Sequence, residues 1–286
     1  MTTRLDEYLA WFEAFALEFT GVSSEDDTNI KVKIDHTIKV LEVSKQITAA
    51  LDLPAPLARL THMAALFHDV GRFPQYAQFR TFNDRTSANH ARLGVDTLRK
   101  RGVLSDCTPE HRRLVLGAVF LHNRRSVPSG ISSNLDLITR IVRDADKLDI
   151  IRVMLAHLEP GAPLNGVVTL GLKPHPSAYT TELFAKVRRR EQVPYEEMVW
   201  INDYKLLLCS WCYHLNFPVS LRILEERKYL DGIFGSLRGD SELQALEEQM
   251  RQDLLSHSRH PGSSSSEDVK TGRLNVRHAR STHIPP

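Results

Sequence analysis

Apolar residues recur at helical spacing along nearly the whole chain, and no stretch alternates regularly enough to indicate a β-strand. The pattern predicts helices over residues 4–20, 29–51, 57–68 and 135–158. Two shorter helices are expected between these, one capped by Ser87 and closed by Gly102, and one beginning at Thr108 and Pro109. Helices resume from about Thr180, which predicts an all-α fold.

Several segments depart from this pattern. "FPQYAQFRTFNDRTS" is aromatic and irregular, so we expect a loop there, preceded by a left-handed helix cap at Gly71. "EPGAPLNGVVTLGLKPHPS" is rich in glycine and proline and predicts a small hairpin or a crossover. "SELQALEEQMRQDLL" is typical of a solvated terminal helix. We expect one helical domain over residues 1–255 and, because large apolar residues then become rare, a disordered tail over 256–286.

The composition is that of an ordinary globular protein, with 42% hydrophobic residues, 25% charged residues and a net charge of +2. This balance argues against a dedicated nucleic-acid surface, and no stretch has the length and apolarity expected of a signal peptide or membrane span. Three cysteines are too few for a disulfide framework, so we expect a reducing cytoplasm. Cys209 and Cys212 lie in an apolar helical stretch and are interpreted as small hydrophobes.

Four polar residues lie on otherwise apolar helix faces: His36, His68, His122 and Asp146 each have apolar neighbours at helical offsets. Each would point inward, where an unpartnered charge costs several kcal/mol. The cost would be offset if these four side chains met around a bound cation. Imidazole nitrogen and carboxylate oxygen suit Zn, Fe, Mn, Co or Ni better than Ca, which prefers oxygen ligands alone.

The order of these motifs resembles a known family. His36, then the His68-Asp69 pair in "FHDVGR", then Asp146 in "DADKLD" are similar to the pattern of the HD superfamily of metal-dependent phosphohydrolases, over roughly residues 30–155. The resemblance implies an HD-domain helical bundle, here with additional C-terminal helices over 156–255. It favours Asp146 over Asp144 as the last ligand, whereas periodicity alone leaves both aspartates open.

Two further histidines extend the resemblance, because bimetallic members of the superfamily place two ligands between these motifs. By that analogy His90 and His122 would hold a second divalent transition metal, and Asp69 would bridge both ions as the central catalytic residue. One or two ions per chain are expected. Arg72 and Lys147 are the candidate substrate-binding cations, with Arg124 and Arg125 behind them.

The resemblance implies hydrolysis of a phosphomonoester or phosphodiester of a nucleotide or small metabolite by metal-activated water. The expected partner is therefore a small phosphorylated substrate, with no specific nucleic acid and no membrane. Two alternatives stay open. The same six ligands support mixed-valent di-iron oxygenases in this superfamily, and a metal-stabilised signalling domain would need no catalysis.

Overall fold

The computed structural model describes residues 4–158, 165–237 and 241–259, with side chains described as far as residue 256. Within these ranges the chain forms twelve α-helices and one short 3-10 helix over Tyr195–Glu197. The helices are α1 (Arg4–Leu17), α2 (Ser24–Ala50), α3 (Ala55–Phe67), α4 (Arg72–Phe79), α5 (His90–Lys100), α6 (Pro109–Leu121), α7 (Ser133–His157), α8 (Thr181–Arg188), α9 (Ile201–Cys212), α10 (Pro218–Glu226), α11 (Tyr229–Ser236) and α12 (Ser241–Arg259). The all-α prediction is confirmed.

The centre of the molecule is a bundle of α2, α3, α6 and α7, which pack on one another through their apolar faces. Side-chain caps begin three of these helices: Ser23 for α2, Thr108 for α6 and Ser132 for α7 each accept a hydrogen bond from a backbone N–H of the first turn. The Thr108–Pro109 start is as predicted, whereas α2 begins earlier than Asn29 because Ser23 supplies a cap nearly two turns upstream.

A short helix replaces the predicted loop after Gly71. Residues Arg72–Phe79 form α4, in which the aromatic rings of Phe73 and Tyr76 are buried. The aromatic residues of this stretch obscured its helical periodicity in the sequence. The predicted left-handed cap at Gly71 is wrong, because Gly71 has a right-handed φ of −69° and lies at the N-terminus of α4. A Cβ at Gly71 would come within 2.0 Å of the carbonyl oxygen of His90 and 2.5 Å of the nitrogen of Gly94. Close backbone packing, rather than a turn, requires glycine there.

The start of α5 also differs from the prediction. Asn89, not Ser87, caps the helix, since its side-chain oxygen accepts a hydrogen bond from the backbone N–H of Arg92. Ser87 instead donates to the carbonyl oxygen of Asn83. The cap places His90 at the first position of α5, beside Gly71.

The C-terminal helices pack against the central bundle, with α10 and α11 contacting α7 and α10 contacting α2. Every residue of α9 is buried, including the free thiols of Cys209 and Cys212. The terminal helix α12 is less solvated than expected, because Leu243, Leu246 and Met250 are buried. It extends to Arg259, so the predicted tail begins too early, and its remaining residues lie outside the described ranges.

The glycine- and proline-rich segment lies partly outside the described ranges, from residue 159 to 164. Its described part runs through turns and makes a single isolated parallel bridge between Lys173 and Trp200. No helix in the described part of the chain combines the length and apolarity needed to cross a membrane.

Candidate metal centre

Six side chains meet where the ends of three helices approach the middle of two long ones. His36 lies in α2 and Asp146 in α7, while His68 and Asp69 follow the last residue of α3. The other two come from His90 at the start of α5 and His122 just after α6. The structure therefore brings together all six residues that the sequence analysis selected as ligands.

The first cluster consists of His36, His68 and Asp146. The Nε2 atoms of His36 and His68 are 3.3 Å apart. Oδ1 of Asp146 lies 3.1 Å from Nε2 of His36 and 3.6 Å from Nε2 of His68. Oδ2 of Asp69 is 3.6 Å and 3.8 Å from the same two nitrogens. These atoms surround one point with the spacing of a coordination shell.

The second cluster consists of His90 and His122, whose Nε2 atoms are 3.0 Å apart. Oδ1 of Asp69 lies 3.4 Å from Nε2 of His90 and 3.9 Å from Nε2 of His122. The two oxygens of the Asp69 carboxylate thus face different clusters. Such an arrangement suits a carboxylate that bridges two cations.

Hydrogen bonds fix the orientation of all four imidazoles. Nδ1 of His68 and Nδ1 of His122 each lie 2.7 Å from a carbonyl oxygen three residues earlier in the chain. Nδ1 of His36 lies 2.8 Å from a carboxylate oxygen of Asp149, and Nδ1 of His90 lies 2.7 Å from one of Asp84. Since Nδ1 carries the proton in these contacts, the Nε2 lone pairs point into the clusters.

This donor set fits divalent transition metals. Nε2 acceptors that face each other at 3.0 Å and 3.3 Å repel unless a proton or cation lies between them. Neighbouring ligands bound at about 2.1 Å in octahedral or tetrahedral geometry are themselves about 3.0–3.4 Å apart. In the described part of the chain, two sets of side chains offer ligand atoms that all lie within 4.8 Å of one another: His36, His68 and Asp69, and Asp69, His90 and His122. Both combine imidazole with carboxylate, which favours transition metals over calcium.

Burial and neighbouring charges set the pKa values of the candidate histidine ligands. Burial lowers the pKa of His122 to about 3, assisted by the nearby His90 and His68, so its imidazole is a neutral ligand. Burial and Lys33 also oppose the charging of His36, but hydrogen bonds to Asp146 and Asp149 outweigh them and raise its pKa to about 9. A metal in the first cluster therefore has to displace a proton from His36.

Asp144 does not reach the centre. Its carboxylate accepts hydrogen bonds from the backbone N–H groups of Asn216 (2.8 Å) and Phe217 (3.2 Å), just before α10. Its side chain thus joins α7 to α10, whereas Asp146 faces the histidines. The geometry separates the two aspartates that periodicity left open.

The two cations selected for substrate binding both line the cavity beside the clusters, but in each side chain one nitrogen already donates hydrogen bonds within the protein. Nη1 of Arg72 donates to Gln75 and Asp84, while its Nε lies 3.4 Å from Oδ1 of Asp69 and lacks a hydrogen-bond partner. Nζ of Lys147 donates to the carbonyl oxygen of His214 at 2.7 Å. Burial lowers the pKa of Lys147 to about 8.

Three charged residues around the centre escaped the sequence analysis. Asp149 and Asp84 orient His36 and His90, and Nζ of Lys33 donates to Oδ2 of Asp69 at 2.8 Å. Asp149 lies three residues after Asp146 on α7, so helical spacing could have placed it on the same face. Lys33 likewise lies three residues before His36 on α2, whereas Asp84 carries no comparable signal.

A cavity of about 490 Å³ opens beside the two clusters. Cations from several elements line it: Lys33, Arg72, Arg85, Arg124, Arg125, Arg143 and Lys147. The C-terminal segment contributes aromatic rings from Tyr195, Tyr204 and Trp211, with Tyr195 close to both of the others. The candidate metal ligands and a wall of basic and aromatic side chains thus line the same cavity.

A comparison with known protein families identifies an HD domain in the part of the chain that carries the clusters. The family model of the HD domain matches residues 34–151, which span His36 to Asp149 and so include both clusters. No curated protein and no solved structure matches the chain. Over these residues, with their helical bundle and buried histidine–aspartate clusters, the chain is therefore similar to the HD domain.

Proposed function

We propose that this protein is a metal-dependent phosphohydrolase that hydrolyses a phosphomonoester or phosphodiester of a nucleotide or small metabolite. The observation that carries the proposal is the Asp69 carboxylate, whose two oxygens face separate histidine clusters. His36, His68 and Asp146 would hold one ion, His90 and His122 a second, and Asp69 would bridge them. When bound, two such ions lower the pKa of a water molecule and polarise the phosphoryl group.

The chain's own residues would supply orientation and charge. Asp149 and Asp84 hold the imidazoles of His36 and His90 in the tautomer that directs Nε2 inward. Arg72 would stabilise a phosphoryl oxygen through its Nε–H, which makes no hydrogen bond within the protein and lies 3.4 Å from Oδ1 of Asp69. Lys33 neutralises part of the charge of Asp69.

Arg124 and Arg125 strengthen the preference for an anionic substrate. Both line the cavity, and neither pairs with a carboxylate within the described part of the chain. Lys147 is a less direct contributor, because its amine holds the carbonyl of His214. This excess of cations favours phosphoryl chemistry over the di-iron oxygenase alternative, which needs no basic wall.

The test begins with metal analysis of protein purified without added ions. We expect up to two equivalents per chain, and phosphate release from a panel of phosphomonoesters and phosphodiesters in the presence of Mn, Co, Ni, Fe or Zn. Protein that retains no divalent metal and hydrolyses nothing with any of these ions would contradict the proposal. Iron together with an oxygen-dependent spectroscopic change, but no phosphate release, would favour the oxygenase. Bound metal with neither activity would favour a signalling domain.

A further inference from the structure

We infer that the substrate of the proposed phosphohydrolase is a phosphomonoester of an aliphatic alcohol, whose hydrocarbon part lies in one end of the cavity. This inference rests on the proposed function and narrows its substrate class. The end in question, the aliphatic lobe, is lined by Val32, Ile150, Val153, Met154 and the side chains that the 167–172 segment turns toward the cavity.

The wall that α7 presents to the cavity changes character along the helix axis. Arg143, Asp146, Ile150 and Met154 all line the cavity. At 1.5 Å per residue, Ile150 lies about 6 Å and Met154 about 12 Å beyond Asp146, whereas Arg143 lies about 4.5 Å on the other side. Along α7, a ligand held at the metal centre therefore meets Arg143 in one direction and, beyond Lys147, aliphatic wall in the opposite direction.

The packing of α2 places Val32 on the aliphatic side as well. Asp35 pairs with Arg152, and His36 contacts Asp149 and Asp146, so the residue numbers of α7 fall as those of α2 rise. The two helices are antiparallel. Val32, one turn before His36, consequently lies toward the end of α7 that carries Val153.

The 167–172 segment lines this end of the cavity. Nδ2 of Asn165 donates to Oδ1 of Asn29 at 2.7 Å, which fixes the start of the segment to the N-terminal part of α2. Val167, Val168, Leu170 and Leu172 then line the cavity. All four are only partly buried, so aliphatic surface remains available to a ligand.

The chemistry of these walls selects the occupant. The side chains that α7 beyond Asp149 and the 167–172 segment present to the cavity are all aliphatic. A nucleobase edge or sugar hydroxyl would lose hydrogen bonds to water here and gain none from these side chains. A hydrocarbon chain instead gains by leaving water. The phosphoryl group would lie at the clusters and the chain would extend toward Met154.

The test uses the metal-loaded full chain and straight-chain alkyl phosphates from methyl to octyl. We expect kcat/KM to rise with each methylene, by up to about fourfold when the group is fully buried, until the lobe is filled. Val153→Asp should flatten this dependence, and the isosteric Val153→Thr should reduce it in a variant that keeps its volume. Val22→Asp, a matched change at an exposed site outside the cavity, should keep the wild-type slope.

Melting temperature in the presence of the same phosphates gives a readout independent of turnover. Stabilisation that increases with chain length and is lost in Val153→Asp supports the lobe even when no phosphate is released, an outcome that would contradict the proposed function alone. Hydrolysis that is independent of chain length, or faster for nucleotides than for every alkyl phosphate, overturns the inference and leaves the phosphohydrolase intact. If the alkyl phosphates are neither bound nor hydrolysed, both the inference and the proposed function are overturned.

Discussion

The two histidine clusters have the same arrangement of hydrogen bonds but differ in charge and burial. Each has one imidazole held by a backbone carbonyl and one held by a carboxylate. The first cluster adds Asp146, whereas the described residues give the second no candidate carboxylate ligand besides the shared Asp69. The orienting carboxylates differ too, since the side chain of Asp149 is fully buried and that of Asp84 is 28% exposed.

This difference has a direct electrostatic consequence. A divalent ion in the first cluster would meet two carboxylates, and an ion in the second would meet only the distal oxygen of one. Water also screens Asp84 more than Asp149, which weakens the support that it gives to His90. We therefore expect the first cluster to bind metal more tightly and the second to lose its ion first.

The largest effect is expected from Asp69→Asn, which removes the charge that both clusters share. We expect loss of both ions and a fall in phosphohydrolase activity of more than about 100-fold, above the range typical of outer-shell residues. Metal analysis and phosphate release measure this. Asp96→Asn, on the exposed face of α5, is the matched control and should leave both unchanged. Retention of two ions by Asp69→Asn would disprove the bridge.

Removing one histidine from each cluster tests their independence. His90→Ala should reduce the metal content from two equivalents to one and leave the first ion bound. His36→Ala should weaken the tighter site and also leave the buried carboxylate of Asp149 with Arg152 but without its imidazole partner, so we expect a lower melting temperature as well. Equal loss of both ions in the two variants would show a single cooperative centre rather than two unequal sites.

A smaller and more specific effect should follow from the orienting carboxylates. Asp149→Asn and Asp84→Asn keep the shape of each side chain but weaken its hold on the imidazole, at an expected cost of about 10–100-fold in metal affinity. Titration with a metal indicator should place the larger loss in Asp149→Asn because of its complete burial. A larger loss in Asp84→Asn would reverse our ranking of the clusters.

The smallest effect concerns a histidine outside both clusters. Burial and the nearby Lys45 lower the pKa of His62 to about 4, against an ordinary value of 6.5. The folded state therefore binds fewer protons than the unfolded state in this range, and stability present above pH 6.5 is lost as the pH falls toward 4. Because His62 is partly exposed, we expect only about 1 kcal/mol. Melting curves of metal-free His62→Gln should show a smaller loss between pH 7 and pH 5 than wild type.

The sequence predicted those parts of the molecule that local pattern controls. Long amphipathic stretches and the Thr108–Pro109 start specified the central helices, and inward-facing polar residues on them pointed to the centre. The chain between Gly71 and His90 differs from the prediction because long-range packing decides its structure: Phe73 of α4 packs against aromatic rings of α1, and Asn89 rather than Ser87 caps α5. Asp84 lies outside the helices and acts through a partner that folding brings near, which helical spacing does not reveal.

The contact between Gly71 and the start of α5 fixes the distance between the two clusters. Gly71 follows Asp69 by two residues, and its α-carbon packs directly on the backbone of His90 and Gly94. A single methyl group at this point would act as a spacer, lifting α5 and carrying one imidazole away from the shared carboxylate. The position of His90 relative to Asp69 thus depends on a backbone contact that only glycine permits, and not on the candidate ligands alone.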